Sequence, residues 1–129
     1  MSWLSRLFLY LRLAKELFQY DLAGATLGFR SVHRELQPHV SCRQSSSPEL
    51  EAVVCEAVCR IAPFYWKRVQ CLQRSVITAR VLRAYGAHAE VVIGYRLAPF
   101  LAHAWVEVAG RVVNDSPAFQ SRLKVLERF

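Results

Sequence analysis

A chain of 129 residues that is 53% hydrophobic and 21% charged has room for one domain and is too apolar to be disordered. Its 17 Lys and Arg against 10 Asp and Glu give a net charge of +7, which suits an acidic peptide or an anionic surface. The basic residues are scattered and no nucleic-acid motif accompanies them, so specific nucleic-acid binding is not expected.

The first element is "SWLSRLFLYLRLAKELFQY". Trp3, Leu4, Leu7, Phe8, Leu11, Ala14, Leu17 and Phe18 recur at helical spacing, with Arg6, Arg12, Lys15, Glu16 and Gln19 largely on the other side, which predicts an amphipathic helix. Its longest uncharged apolar run, "LFLYL", is too short for a signal or a membrane span. The apolar stripe is expected to pack on its own domain; a docking face for a partner protein and contact with a membrane surface are the alternatives.

The two glycines of "DLAGATLGF" are expected to break this helix, and "RSVHRELQP" to resume it briefly. The linker "SCRQSSSPEL" also starts a helix, with Ser47 as N-cap, Pro48 at the first position and Glu49 and Glu51 in the first turn. That helix, "ELEAVVCEAVCRIA", should stop before Pro63, because the residue preceding a proline avoids helical geometry. Cys55 and Cys59 share a helical face. Without a second pair or a nearby histidine they read as buried small hydrophobes, not metal ligands. No secretory signal precedes the four cysteines at 42, 55, 59 and 71, which points to reduced thiols in a cytoplasm.

Cys71 opens a further helix, "CLQRSVITARVLRAYG", closed by Gly86 as a left-handed cap. The β-branched run "AHAEVVIGYRL" follows, then a break at Ala98-Pro99, then a hairpin, "AHAWVEVAGRVVND". The closing "SPAFQSRLKVLERF" fits either a short helix or an extended tail. Helices first and an antiparallel sheet after them make an α+β fold. Residues 1–47 form a helical N-terminal region and linker, and 48–129 the core of a single domain.

The hairpin carries a histidine and an aspartate that strands rarely need. If "AG" is a two-residue loop, Asp115 faces Ala104, and His103 and Asp115 project from opposite faces. If "VAG" is a three-residue loop with Gly110 in the left-handed position, Glu107 opposes Arg111, Trp105 opposes Val113 and His103 opposes Asp115. The second register also matches a charge pair and is the preferred one. A histidine oriented by an aspartate is half of a nucleophilic triad. Cys71 is the natural third member, since the helix dipole and the free N–H groups at a helix start favour a thiolate and can bind an oxyanion. On spacing alone, core packing of the cysteine and a structural role for the histidine compete with this reading.

Residues 71–117, with "CLxRS" opening a helix, "RxxG" closing it, "VIGxR", "PFxAHAWVEVxGRVVND" and a trailing "SP", resemble the transglutaminase-like leader peptidases of lasso-peptide biosynthesis. The resemblance implies a papain/transglutaminase-like cysteine protease core that removes the leader from a ribosomal precursor peptide. Cys71 falls on the nucleophile, His103 on the general base and acid, and Asp115 on the orienting carboxylate. Such chemistry needs no metal or organic cofactor.

Some members carry an additional N-terminal leader-binding module. A chain of this length has no room for one, so the resemblance implies a stand-alone protease working with a separate leader-binding protein, upstream of an ATP-dependent cyclase. Many relatives have an aspartate where this chain has Ala109, which bears on turn stability and not on the triad. Trp66, Arg74 and Arg96 either line the substrate path or merely pack and solvate, Phe100 is placed to border the cleft, and Trp105 either walls the catalytic dyad from water or packs in the core. Acyl transfer to an amine on the same triad, and a non-catalytic interaction module, are the rival functions.

Overall fold

A computed structural model describes residues 2–26, 48–65, 68–97, 99–114 and 122–129. Its elements run α1 (Trp3–Thr26), α2 (Pro48–Ile61), a single 3₁₀ turn (Ala62–Phe64), α3 (Cys71–Ala84), β1 (Ala89–Leu97), β2 (Phe100–Val108), β3 (Arg111–Val112) and β4 (Lys124–Arg128). The four strands form an antiparallel sheet in the order β3-β2-β1-β4, and α3 packs along β1 and β2. Helices followed by a small antiparallel sheet are the predicted α+β arrangement.

Helix α1 corrects the sequence reading twice. It runs through "DLAGAT" instead of breaking there. One interior glycine costs a helix only about 1 kcal/mol, and Asp21 is tied to the rest of the protein by Tyr65 and Gln73. The buried seam shares only Leu17 with the predicted stripe. Leu9, Leu13 and Leu17 are buried, and Glu16 is buried with them in an ion pair with Arg80 of α3 at 2.8 Å. Trp3, Leu4, Leu7, Phe8, Leu11 and Phe18 lie exposed on the far side. The helix is apolar on two sides, so periodicity identified a stripe but not the one that docks.

Helix α2 begins at Pro48 and ends at Ile61, where the 3₁₀ turn takes up Pro63; Ser47 lies outside the described residues. Of its two cysteines, Cys55 is half-buried and Cys59 is exposed, so only the first approaches the expected core role. Helix α3 ends as predicted. Gly86 takes φ +94°, the Gly86 N–H donates to Arg83 O and the Ala87 N–H to Leu82 O, both at 3.0 Å, which is a Schellman closure.

The sheet separates two cores. Ala89, Val91, Val106 and Val108 face the helices and pack with Val76, Ile77, Val81, Leu82 and the α1 seam. On the opposite face Val92, Trp105 and Leu123 form a smaller cluster. The chain end, ambiguous in sequence, is strand β4 on the β1 edge. Phe129 continues that edge by exchanging two backbone hydrogen bonds with Val91, at 2.7 and 2.9 Å.

Candidate active site

Cys71 is the first residue of α3 and is half-buried. The first bond of the helix runs from the Arg74 N–H to Gln70 O at 2.9 Å, so the N–H groups of Cys71, Leu72 and Gln73 precede the ladder. Gln70, in extended geometry at the N-cap, makes no side-chain cap. The thiol thus sits among backbone donors of the kind that stabilise an oxyanion.

His103 lies in β2 opposite Gly94. Helix α3, with 14 residues, is about 20 Å long, and β1 runs back along it from Ala89, whose carbonyl accepts from Arg83 Nε at 2.8 Å. Five strand residues later, about 17 Å on, the chain reaches Gly94 and its partner His103. Cys71 and His103 therefore stand at the same end of the helix-sheet layer.

Across the sheet, the alternation of β2 gives His103 the face of Trp105, whereas Ala104, Val106 and Val108 take the face that α3 covers. The rings of His103 and Trp105 stack with centroids 6.2 Å apart and planes at 26°. Trp105 is fully buried and donates from Nε1 to Glu107 at 2.9 Å. It packs in the smaller core with Val92 and Leu123 while flanking His103 on one side. It also explains the glycine of "VIGxR". A Cβ on Gly94 would stand 2.5 Å from Trp105 Cη2, 2.7 Å from Cζ3 and 3.1 Å from Leu123 Cβ.

The hairpin register overturns the preferred one. Glu107 pairs with Val112 and Val108 with Arg111, so the loop is the two residues Ala109 and Gly110. Both have positive φ, +52° and +77°, as a type I′ turn requires. The strand twist favours that turn even with alanine in its first position. Arg111 reaches Glu51 of α2 instead of Glu107, with contacts of 3.2 and 3.4 Å, and Glu107 is matched by Arg128 at 3.3 Å.

The argument that placed Asp115 across from His103 by register therefore fails, and Asp115 itself lies outside the described residues. Among the described residues the regular ladder ends at Val113. The Val113 N–H still donates to Val106 O at 3.0 Å, but the Val106 N–H donates to Asn114 Oδ1 at 2.8 Å instead of to a backbone carbonyl. Asn114 Nδ2 in turn reaches Ser75 Oγ at 3.4 Å, one turn beyond Cys71.

Of the other predicted residues, Trp66 lies outside the described ones. Arg74 and Arg96 are half-buried, and each buries a guanidinium Nε that finds no hydrogen-bond partner among the described residues. Phe100 is 72% exposed at the start of β2, beside the β1-β2 turn.

A cluster that the sequence reading left unassigned lies beside Cys71. Tyr65 donates to Asp21 and, at 3.3 Å, to Leu17 O. Gln73 Nε2 donates to Asp21 Oδ1 and to Leu17 O, both at 3.4 Å. This bracket holds the end of α1 against the start of α3. Tyr20, next in the chain, is close enough that burial, Asp21 and Cys71 together push its hydroxyl above the ordinary tyrosine range. The only sequence signal was that Asp21 is one of two aspartates in the chain.

A half-buried cysteine at a helix start, packed on an antiparallel sheet that carries a histidine, is the layout of a thiol acyl-transfer fold. The chain belongs to the transglutaminase-like superfamily, which it matches over residues 17–128. Over 56 residues it is 43% identical to the Microcin J25-processing protein McjB of Escherichia coli, a match covering 43% of this chain and 27% of that relative. It thus spans about a quarter of the relative's length. No solved structure matches.

Proposed function

We propose that this chain is a cysteine peptidase that removes the leader from a lasso-peptide precursor. What supports the reading is Cys71 at the open N-terminus of α3, in a chain of the transglutaminase-like superfamily that is similar to a microcin-processing protein. The Cys71 thiolate attacks the scissile carbonyl, and the tetrahedral oxyanion takes hydrogen bonds from N–H groups of the helix start. His103 gives a proton to the leaving amine, and the acyl-enzyme forms. His103 then takes a proton from water, and hydroxide attack on the thioester releases the leader and restores the thiol. Asp115 holds the imidazole tautomer and stabilises its charged form.

The reading requires Cys71 and His103 to meet at the shared end of the layer, around the edge of β2. It also assigns the protein to the cytoplasm, beside a separate leader-binding protein and the ring-forming cyclase.

The test is mass spectrometry of a lasso-type precursor incubated with the protein and its leader-binding partner, with Cys71→Ala alongside. A single cut at the leader-core junction, made by the wild type and not by the variant, is the expected result. Intact precursor in both, with the partner shown to bind the leader, refutes the protease. A product carrying an added amine instead of water would identify acyl transfer on the same cysteine.

A further inference from the structure

Helix α1 presents two apolar sides, and the fold uses only one. Leu9, Leu13 and Leu17 are buried at 1% exposure or less, whereas Trp3, Leu4, Leu7, Phe8, Leu11 and Phe18 on the outer side are 47–75% exposed. On a helical projection these six span about 140° of the surface, an apolar stripe far wider than scattered surface hydrophobes make. Arg12 and Lys15, with Phe8, Leu11 and Glu16, line a shallow groove along it. The carboxylates of the helix are turned inward: Glu16 pairs with Arg80, and Asp21 is held by Tyr65 and Gln73.

We propose that this outer face of α1 lies on an anionic phospholipid surface. The charge pattern selects this occupant. The stripe holds Lys15 and has Arg12 along one edge, the carboxylates Glu16 and Asp21 are engaged within the fold, and the whole chain carries +7. A protein partner would be matched by donors and acceptors on its interface, and the stripe offers only the Trp3 indole N–H and the Lys15 ammonium. Both are groups that sit well at the headgroup level, the lysine with its stem along the apolar surface. At 24 residues the helix is about 36 Å long. No described helix is long and apolar enough to cross a membrane, so α1 lies in the interface plane. The inference goes beyond the protease reading and stands whether or not Cys71 cleaves a precursor.

Co-sedimentation of the whole chain with vesicles tests it, using equimolar phosphatidylglycerol and phosphatidylcholine against phosphatidylcholine alone. The expected result is binding to the anionic vesicles, weakened by salt, with a blue shift of tryptophan emission that is lost in Trp3→Phe. Arg12→Ser with Lys15→Ser should weaken binding roughly fivefold per charge removed. Leu7→Asp with Leu11→Asp should abolish it while leaving the circular dichroism unchanged, because both side chains face away from the buried seam. Equal binding to both vesicle types overturns the proposal. So does a wild type that ignores vesicles, whether it stays monomeric or forms a dimer that the Leu7→Asp, Leu11→Asp variant dissolves; the dimer would assign the stripe to self-association.

Discussion

Gly94→Ala isolates the contact that sets Trp105 and, through it, His103. The added methyl would stand 2.5 and 2.7 Å from the outer ring carbons of Trp105 and 3.1 Å from Leu123 Cβ, where carbon atoms normally sit about 3.5–4.0 Å apart. The indole would have to withdraw by about 1 Å. It is 1% exposed, bonded to Glu107 and stacked on His103, so it has little freedom to do so. Overpacking of this kind costs roughly 1–3 kcal/mol, and the upper half of that range is expected here. Trp105→Phe deletes the ring carbons that the new methyl would strike. In that background Gly94→Ala should be nearly neutral, or stabilising by up to about 0.5–1 kcal/mol, since a strand glycine is itself unfavourable. Urea unfolding of the four proteins gives the coupling energy directly. An equal penalty for Gly94→Ala in both backgrounds would refute the close-approach explanation of this glycine.

Two further outcomes rest on single residues. Ala109→Asn should raise stability by about 0.5–1 kcal/mol, because Ala109 holds a left-handed φ of +52° that asparagine accepts more readily; a loss of stability in urea would contradict the type I′ turn. Burial first, then Cys59 and Glu51, push the Cys55 thiol up to about 12 from 9.0. Below pH ~9 the thiol is protonated in both the folded and unfolded states and its contribution is constant. Between about 9 and 12 the unfolded chain ionises first, so stability falls with rising pH, by up to about 1.4 kcal/mol per unit. Cys55→Ala should flatten that fall between about pH 9 and pH 11; an unchanged slope would place the cause elsewhere.

The sequence reading succeeded where one local rule governs. Pro48, Pro63 and Gly86 mark helix ends because a fixed φ, a steric clash and a left-handed cap are properties of single residues. It also placed Cys71 at a helix start and His103 beside Trp105 on one strand face. It failed where two local options were close in energy and distant residues decided between them. The hairpin loop was misread because Glu107 and Arg111 look like partners in the sequence, while their actual partners, Arg128 and Glu51, come from elements 21 and 60 residues away. The α1 seam was misread because apolar periodicity does not rank two apolar faces. The Asp21, Tyr65 and Gln73 bracket was invisible for the same reason, being made of residues up to 52 apart in the chain.

The side chain of Asn114 has a consequence for how this fold can change. By taking the Val106 amide with its own carbonyl oxygen, it puts a side chain where a regular hairpin would put a backbone carbonyl. A residue at 114 that let β3 continue would make a more regular hairpin and, by parity, commit position 115 to the Ala104 face. A more regular hairpin at this point would give up the link that Asn114 makes to Ser75, on the helix that Cys71 opens.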